Sequence, residues 1–265
     1  MAIVVKWLTH LTVNQACVGS SPIGRPNLTK RPLRSFLIYG ERQRMKGYVI
    51  LYKMKKMKRP QTLGEEIANA VSHGIGAIFG LVAFVLILLA SQTWQEYLSG
   101  TIFSLAIFLL FISSTLYHAF PPSLRVKRLF KRFDHISIYL LIGASFAPLL
   151  IVVAEQPFGI IFFTVQWFII ILGIVFKAVF IDKLQVFHVV MFLLLGWSAL
   201  FIMGQFERLP TTAFYLTVWG GIAYSLGVVF YASSRKFKYA HFVWHLFVLT
   251  GVVLHFIANY GFIYL

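Results

Sequence analysis

One cysteine in 265 residues, Cys17, leaves no partner for an intrachain disulfide, so nothing in the chain describes an oxidised, disulfide-stapled secreted domain. Acidic residues are also scarce: eight Asp+Glu stand against 24 Lys+Arg, and charged residues of both signs make up only 12% of the sequence. A soluble globular domain carries about twice that share. No secretory leader of the usual form is expected either, because Met1 to Val5 is too short an apolar segment before Lys6. What fills the chain is hydrocarbon. Hydrophobic residues reach 59% and mean hydropathy is +0.80, which places the protein in the membrane class. The net charge of +16 then has to be read by position. Thirteen of the 24 basic residues lie in the first 59, and ten of the other eleven fall in or beside three short loops. That distribution orients membrane spans and excludes a nucleic-acid footprint.

Residues 1–58 mix turn formers with basic residues and keep no helical or strand period, so they are expected to lie outside the folded domain without stable structure. The stretch Leu11 to Arg25 resembles the conceptual translation of a transfer-RNA gene, which points to synthesis starting at Met45, Met54 or Met57. Intact-mass spectrometry that finds residues 1–44 in the native protein would exclude this.

The membrane domain is expected over 59–265. Thr62-Leu-Gly-Glu65 matches a capping box and opens a helix through the run Ile67 to Ala90. Six further runs of bilayer-spanning length follow at Leu98–Ala119, His135–Ala154, Phe158–Ile181, Leu184–Met203, Ala213–Ala232 and His241–Tyr264. The fold class predicted is all-α, an integral membrane bundle of seven transmembrane helices. Loop charges orient it. Arg125, Lys127, Arg128, Lys131 and Arg132, then Lys177 and Lys183, then Arg235, Lys236 and Lys238 all fall on one side, while the opposite loops carry Glu96, Glu155, Glu207 and only Arg208. The positive-inside rule puts the N-terminus in the cytoplasm and the C-terminus outside. Trp94, Tyr97, Tyr260 and Tyr264 are expected in an outer aromatic belt, with Tyr231, Tyr239 and Trp244 in an inner one.

Polar groups inside such a bundle have to find partners, and several collect at the cytoplasmic end. His118 ends the second span, Asp134 begins the third, and His241 and His245 begin the seventh one turn apart on one face. Glu66, Asn69 and His73 share a face of the first span. The His241/His245 pair by itself supports two readings, hydrogen bonding to a neighbouring helix or a metal clamp. A third imidazole favours the clamp: three histidines plus water complete a tetrahedral catalytic zinc site, whereas structural zinc is normally closed by four protein ligands. Another imidazole-loving ion fits the same donors. Asp134 would orient a metal-bound water, and Ser114, one turn before His118, either joins that network or back-bonds to its own helix. Glu66 and Asn69 are candidates for the surrounding hydrogen bonds, and Glu65 for the helix cap. His255 lies fourteen residues beyond His241, about 21 Å along a helix, so it belongs to the outer half as an interhelical hydrogen bonder with Asn259. His188 has no polar companion on its own face and reads as structural, and His135 is left open.

The segments Glu65-Glu-Ile-Ala-Asn-Ala-Val-Ser-His73, Ser114-Thr-Leu-Tyr-His118, Phe133 to Pro148 and His241-Phe-Val-Trp-His245 together resemble the haemolysin III proteins, bacterial members of the progestin and adiponectin receptor superfamily. The resemblance covers about residues 61–265. It implies a seven-helix bundle in the cell membrane with a zinc ion near the cytoplasmic face, held by His118, His241 and His245, with Asp134 close to the zinc-bound water. It also implies competing activities. One is zinc-dependent hydrolysis of lipid amides or esters, ceramidase-like, in membrane-lipid homeostasis, with a membrane lipid as substrate or ligand. The others are a cytolytic, pore-forming activity and a non-catalytic receptor or sensor with structural zinc.

Overall fold

The computed structural model describes residues 60–181 and 183–265, and among them every regular element is helical. The expectations for the extension 1–58 fall outside the described residues. Seven helices are long and apolar enough to cross a membrane: α1 Leu63–Ala90, α2 Trp94–Ala119, α3 Arg125–Val153, α4 Phe158–Val179, α5 Gln185–Phe206, α6 Thr211–Ser233 and α7 Ala240–Tyr264. The protein is therefore a multi-pass membrane protein. In a bilayer only helices with internally satisfied backbones, or closed barrels, are viable spans.

Local chemistry sets the helix starts. On α1 the expected capping box forms, with Thr62 Oγ1 accepting from Glu65 N at 3.3 Å and Glu65 Oε2 accepting from Thr62 N at 2.9 Å. Thr93 and Glu96 repeat it on α2, at a start where the sequence reading saw only an apolar run. The third helix departs from its predicted bounds: it begins at Arg125, ten residues before His135. Apolar length marks only the part of a helix that lies in hydrocarbon. The preceding Arg125–Phe133 stretch keeps helical hydrogen bonding, with Arg125, Arg128 and Arg132 exposed and Lys127 buried, so charge hid a continuous helix.

Three helices depart from regular α geometry. The last turns of α3 and α7 widen into π-helix at Pro148–Val153 and Tyr260–Tyr264, and α5 tightens into a 3-10 stretch at Trp197–Ile202. At Pro148 the cause is plain, because a proline ring removes one N–H and crowds the preceding turn.

Helix α2 packs between α1 and α3, and α7 packs on both α6 and α1, so the first and last spans close on each other. The main core lies among them, with Ile87, Phe103, Ile107, Phe111 and Val252 fully buried. By contrast Ile67, Val71, Ile75, Ile78, Val85 and Leu89 on the far side of α1 are exposed, a stripe suited to lipid rather than water. One aromatic departs from its expected interfacial place. Tyr264 is 5% exposed and bonds to Ser99 Oγ at 2.9 Å, so it fastens the end of α7 to α2 instead of sitting in a belt.

Close approach of α1 and α2 depends on Gly80. A β-carbon there would sit 2.9 Å from both Cα and N of Phe108, backbone atoms that cannot swing aside. Gly221 faces open space. Gly80→Ala is expected to destabilise by about 1–3 kcal/mol from overpacking, partly offset by helix propensity, and Gly221→Ala to be neutral or slightly stabilising. Thermal unfolding of the detergent-solubilised protein checks both, and equal transition temperatures for the two variants would contradict the packing argument.

Candidate metal centre

Two helices deliver the candidate metal-ligating imidazoles to the end of the bundle that carries the basic loops. His118 occupies the last turn of α2, and His241 and His245 the first turns of α7. The start of α7 is fixed unusually. Tyr239 adopts a left-handed conformation, φ 58°, which a side-chain-bearing residue takes only under constraint. Its N–H donates to Glu65 Oε1 at 2.8 Å. Glu65 thus caps α1 with one oxygen and anchors the entry to α7 with the other, a role the sequence reading, which assigned it only the cap, did not find.

One potential ligand atom from each of His118, His241 and His245 lies within 4.8 Å of the others. His118 and His245 are buried at 3% and 2% exposure. Their partners settle which nitrogen points inward. His118 Nδ1 lies 2.7 Å from Glu66 Oε2, and His245 Nδ1 lies 3.3 Å from the carbonyl oxygen of Asn69. A carboxylate and a carbonyl only accept, so in each ring Nδ1 carries the proton and Nε2 keeps its lone pair. Histidine metal ligands are normally oriented this way, by an acceptor on the far nitrogen. His118 Nε2 is buried with no hydrogen-bond partner. An unpartnered imidazole nitrogen beside two further histidines, with no thiol among the described residues, fits a borderline-soft divalent ion such as Zn²⁺. The three histidines can hold a metal ion.

Further residues support this set. Glu66 accepts from Lys127 Nζ at 3.1 Å as well as from His118, and Lys127 also lies 4.9 Å over the Tyr117 ring. Lys127, which the sequence reading counted only as a loop charge, neutralises the carboxylate that aligns His118. Asn69 donates to Gln61 Oε1 at 3.1 Å, and Ser72 Oγ lies 3.4 Å from His245 Nδ1. His73 is the residue the sequence reading left without a role. It is 3% exposed, stacks on His245 at 3.6 Å between ring centroids, meets Phe111 edge-on at 4.9 Å, and neither ring nitrogen has a hydrogen-bond partner. Its only sequence signal was its spacing from Glu66 and Asn69, because the ring it packs on comes from α7.

Asp134 is not one of the three clustered ligands. It lies near enough to His118, His73 and His241 to interact electrostatically, and its Oδ2 is 3.4 Å from His135 Nδ1. His135, left open by the sequence reading, is turned toward that carboxylate and toward Lys131 O at 2.7 Å. Ser114 neighbours Asp134, and its buried Oγ makes no hydrogen bond of good geometry, so it does not back-bond to its own helix as Thr115 does. His255 is elsewhere, with Nε2 3.1 Å from Thr217 O, bridging α7 to α6. His188 bonds to Tyr139 OH at 2.8 Å, across to α3, so its companion lies on another helix.

Fold and site together define a polytopic membrane protein with a three-histidine centre buried at one end of a seven-helix bundle. The family model for haemolysin-III related proteins matches residues 61–256. Hemolysin-3 of Bacillus cereus is 34% identical over 206 residues, 76% of this chain and 93% of its own length. The Hemolysin-3 homolog of Bacillus subtilis (strain 168) is 32% identical, covering 72% and 90%. The human monocyte to macrophage differentiation factor is 29% identical, covering 77% and 86%. The chain belongs to the haemolysin III family, within the progestin and adiponectin receptor superfamily.

Removing a ligand and removing its orienting carboxylate should differ in degree. His245→Ala and His241→Ala are expected to lose bound metal, while Glu66→Gln keeps the fold and weakens metal affinity roughly 10–100-fold. Elemental analysis of detergent-purified protein, with chelator competition for Glu66→Gln, reads this out. Full metal content in His245→Ala would remove the site.

Proposed function

We propose that this protein is a zinc-dependent hydrolase of membrane-lipid amides or esters, acting at the cytoplasmic side of the cell membrane in lipid homeostasis. One observation carries the reading: an apolar cavity of about 190 Å³ begins one turn from the histidine layer. Its lining includes Leu110, four residues before Ser114, Ile138, four after Asp134, and Trp244 and Val248, which flank His245. A hydrocarbon chain in that cavity would place its polar head among the imidazoles. Catalytic zinc differs from structural zinc in leaving one position open, and three histidines leave it open.

Zinc, when bound, supplies Lewis acidity and brings the pKa of water down to about 7. The chain supplies the rest. Glu66 and the Asn69 carbonyl hold the His118 and His245 rings in the tautomer that binds. The Asp134 carboxylate, flanked by Ser114 and His135, takes up the proton released when water attacks the scissile carbonyl, and returns it to the leaving group. Burial excludes bulk water from the reacting atoms and strengthens each of these electrostatic contacts.

The name of the Bacillus cereus relative favours a second reading, membrane lysis, for which dye release from liposomes carrying purified protein, undiminished by His118→Ala, is the test. For the hydrolase, Asp134→Asn is expected to retain zinc and lose at least a hundredfold in turnover of a long-chain lipid amide, the lower range of a general base's contribution. Wild-type hydrolysis by the zinc-free His245→Ala variant overturns the proposal.

A further inference from the structure

The cavity is not uniformly apolar. Along α7 it runs from Trp244 to Asn259, fifteen residues or roughly 22 Å, so it reaches well past the middle of a ~30 Å hydrocarbon layer. Partway along it stands Tyr224 of α6. Gly251 makes room for this residue: a β-carbon on Gly251 would lie 2.5 Å from the Tyr224 ring. Gly251 is six residues beyond His245, which puts Tyr224 about 9 Å, or nearly two turns, from the histidine layer. The Tyr224 hydroxyl is buried and has no hydrogen-bond partner. A phenol kept out of water in an apolar chamber normally finds an acceptor, because an unmet donor loses its solvation without return.

The neighbouring polar group completes a pair. His255 also lines the cavity, with its ring edge-on to Tyr224 at 5.4 Å between centroids. Its Nε2 faces the Thr217 carbonyl at 3.1 Å, which only accepts, so Nε2 carries the proton and Nδ1 is an acceptor. Two residues that line the cavity with their rings in contact therefore carry a phenolic donor and an imidazole acceptor. A carbonyl or ether oxygen would satisfy only the first. A hydroxyl satisfies both, accepting from Tyr224 and donating to His255 Nδ1.

We propose that the cavity selects lipid chains bearing a hydroxyl group partway along their length, recognised by Tyr224 and His255. The proposal rests on the reading that a lipid chain occupies the cavity with its head at the histidines. It adds a chemical class: amides or esters of in-chain hydroxylated fatty acids.

The test is a binding measurement on the full chain in detergent micelles. A fluorescent long-chain fatty-acid probe is displaced by octadecanamide or by its counterpart hydroxylated near mid-chain. Wild-type protein is expected to prefer the hydroxylated amide by roughly tenfold, the worth of one or two well-made hydrogen bonds. Tyr224→Phe keeps the ring and its packing and removes the donor; it should bind octadecanamide as wild type does and reduce the preference to about twofold or less. Equal potency of the two amides on wild-type protein, a preference that survives in Tyr224→Phe, or no displacement by either amide each overturns the proposal. The first of these measurements needs no variant. Because the readout is binding, absence of hydrolysis would sink the enzymatic reading and leave this one standing.

Discussion

An imidazole in hydrocarbon has two nitrogens to satisfy, and the organisation of this bundle follows from how it does so. His118 and His245 each commit Nδ1 to a protein acceptor, Glu66 or the Asn69 carbonyl, and with His241 they bring one potential ligand atom each to within 4.8 Å of the others. Burying His118 Nε2 without a hydrogen-bond partner costs about 1–3 kcal/mol, which makes that arrangement unfavourable unless something occupies the space among the rings. Both orienting acceptors belong to α1, whereas the imidazoles come from α2 and α7. The three-histidine cluster therefore forms only when the first, second and last spans are packed together, and Glu65 reinforces this by tying the strained entry to α7 onto the first turn of α1.

Lys127 shows why the site sits at the end of the bundle that carries the basic loops. A carboxylate in the bilayer is costly by itself, by roughly 2.5–3.5 kcal/mol on insertion scales, and Glu66 must remain ionised to hold a proton on His118. A lysine from the first turn of α3 reaches it there because its stem crosses apolar surface while its charge stays near the interface. Toward the other end of the bundle the polar contacts are neutral ones, as where His255 meets the Thr217 carbonyl.

Much of this could be read from the sequence, for identifiable reasons. Spans of hydrocarbon length are dictated by a solvent that tolerates few alternatives, so their number and order follow from apolar runs. The histidine layer follows as well, because alternating helix direction brings the end of the second span and the start of the seventh to one side. What could not be read depends on distances across helices. His73 carries the same spacing signal as Asn69, yet its stacking partner lies 172 residues away on α7. Tyr264 sits at a chain position typical of an interfacial anchor, and only the approach of α2 turns it inward to Ser99. The early start of α3 was hidden because charge and helicity are independent properties, and hydropathy registers only the first.

The cavity is the least legible feature, and its origin explains why. It is a consequence of loose packing: α5 makes few contacts with α6, and its helix is interrupted by 3-10 geometry from Trp197 to Ile202, where the side chains no longer follow one stripe. Tight α1–α2–α7 packing at one side and slack α5–α6 packing at the other are complementary. The first holds the imidazoles to within a few ångströms, as a metal requires. The second leaves room beside them that only hydrocarbon can fill, because water finds almost no partners on those walls. A rigid polar centre next to an apolar space in one short bundle is the arrangement that a reaction on the head of a lipid, with its tail still in the membrane, would need.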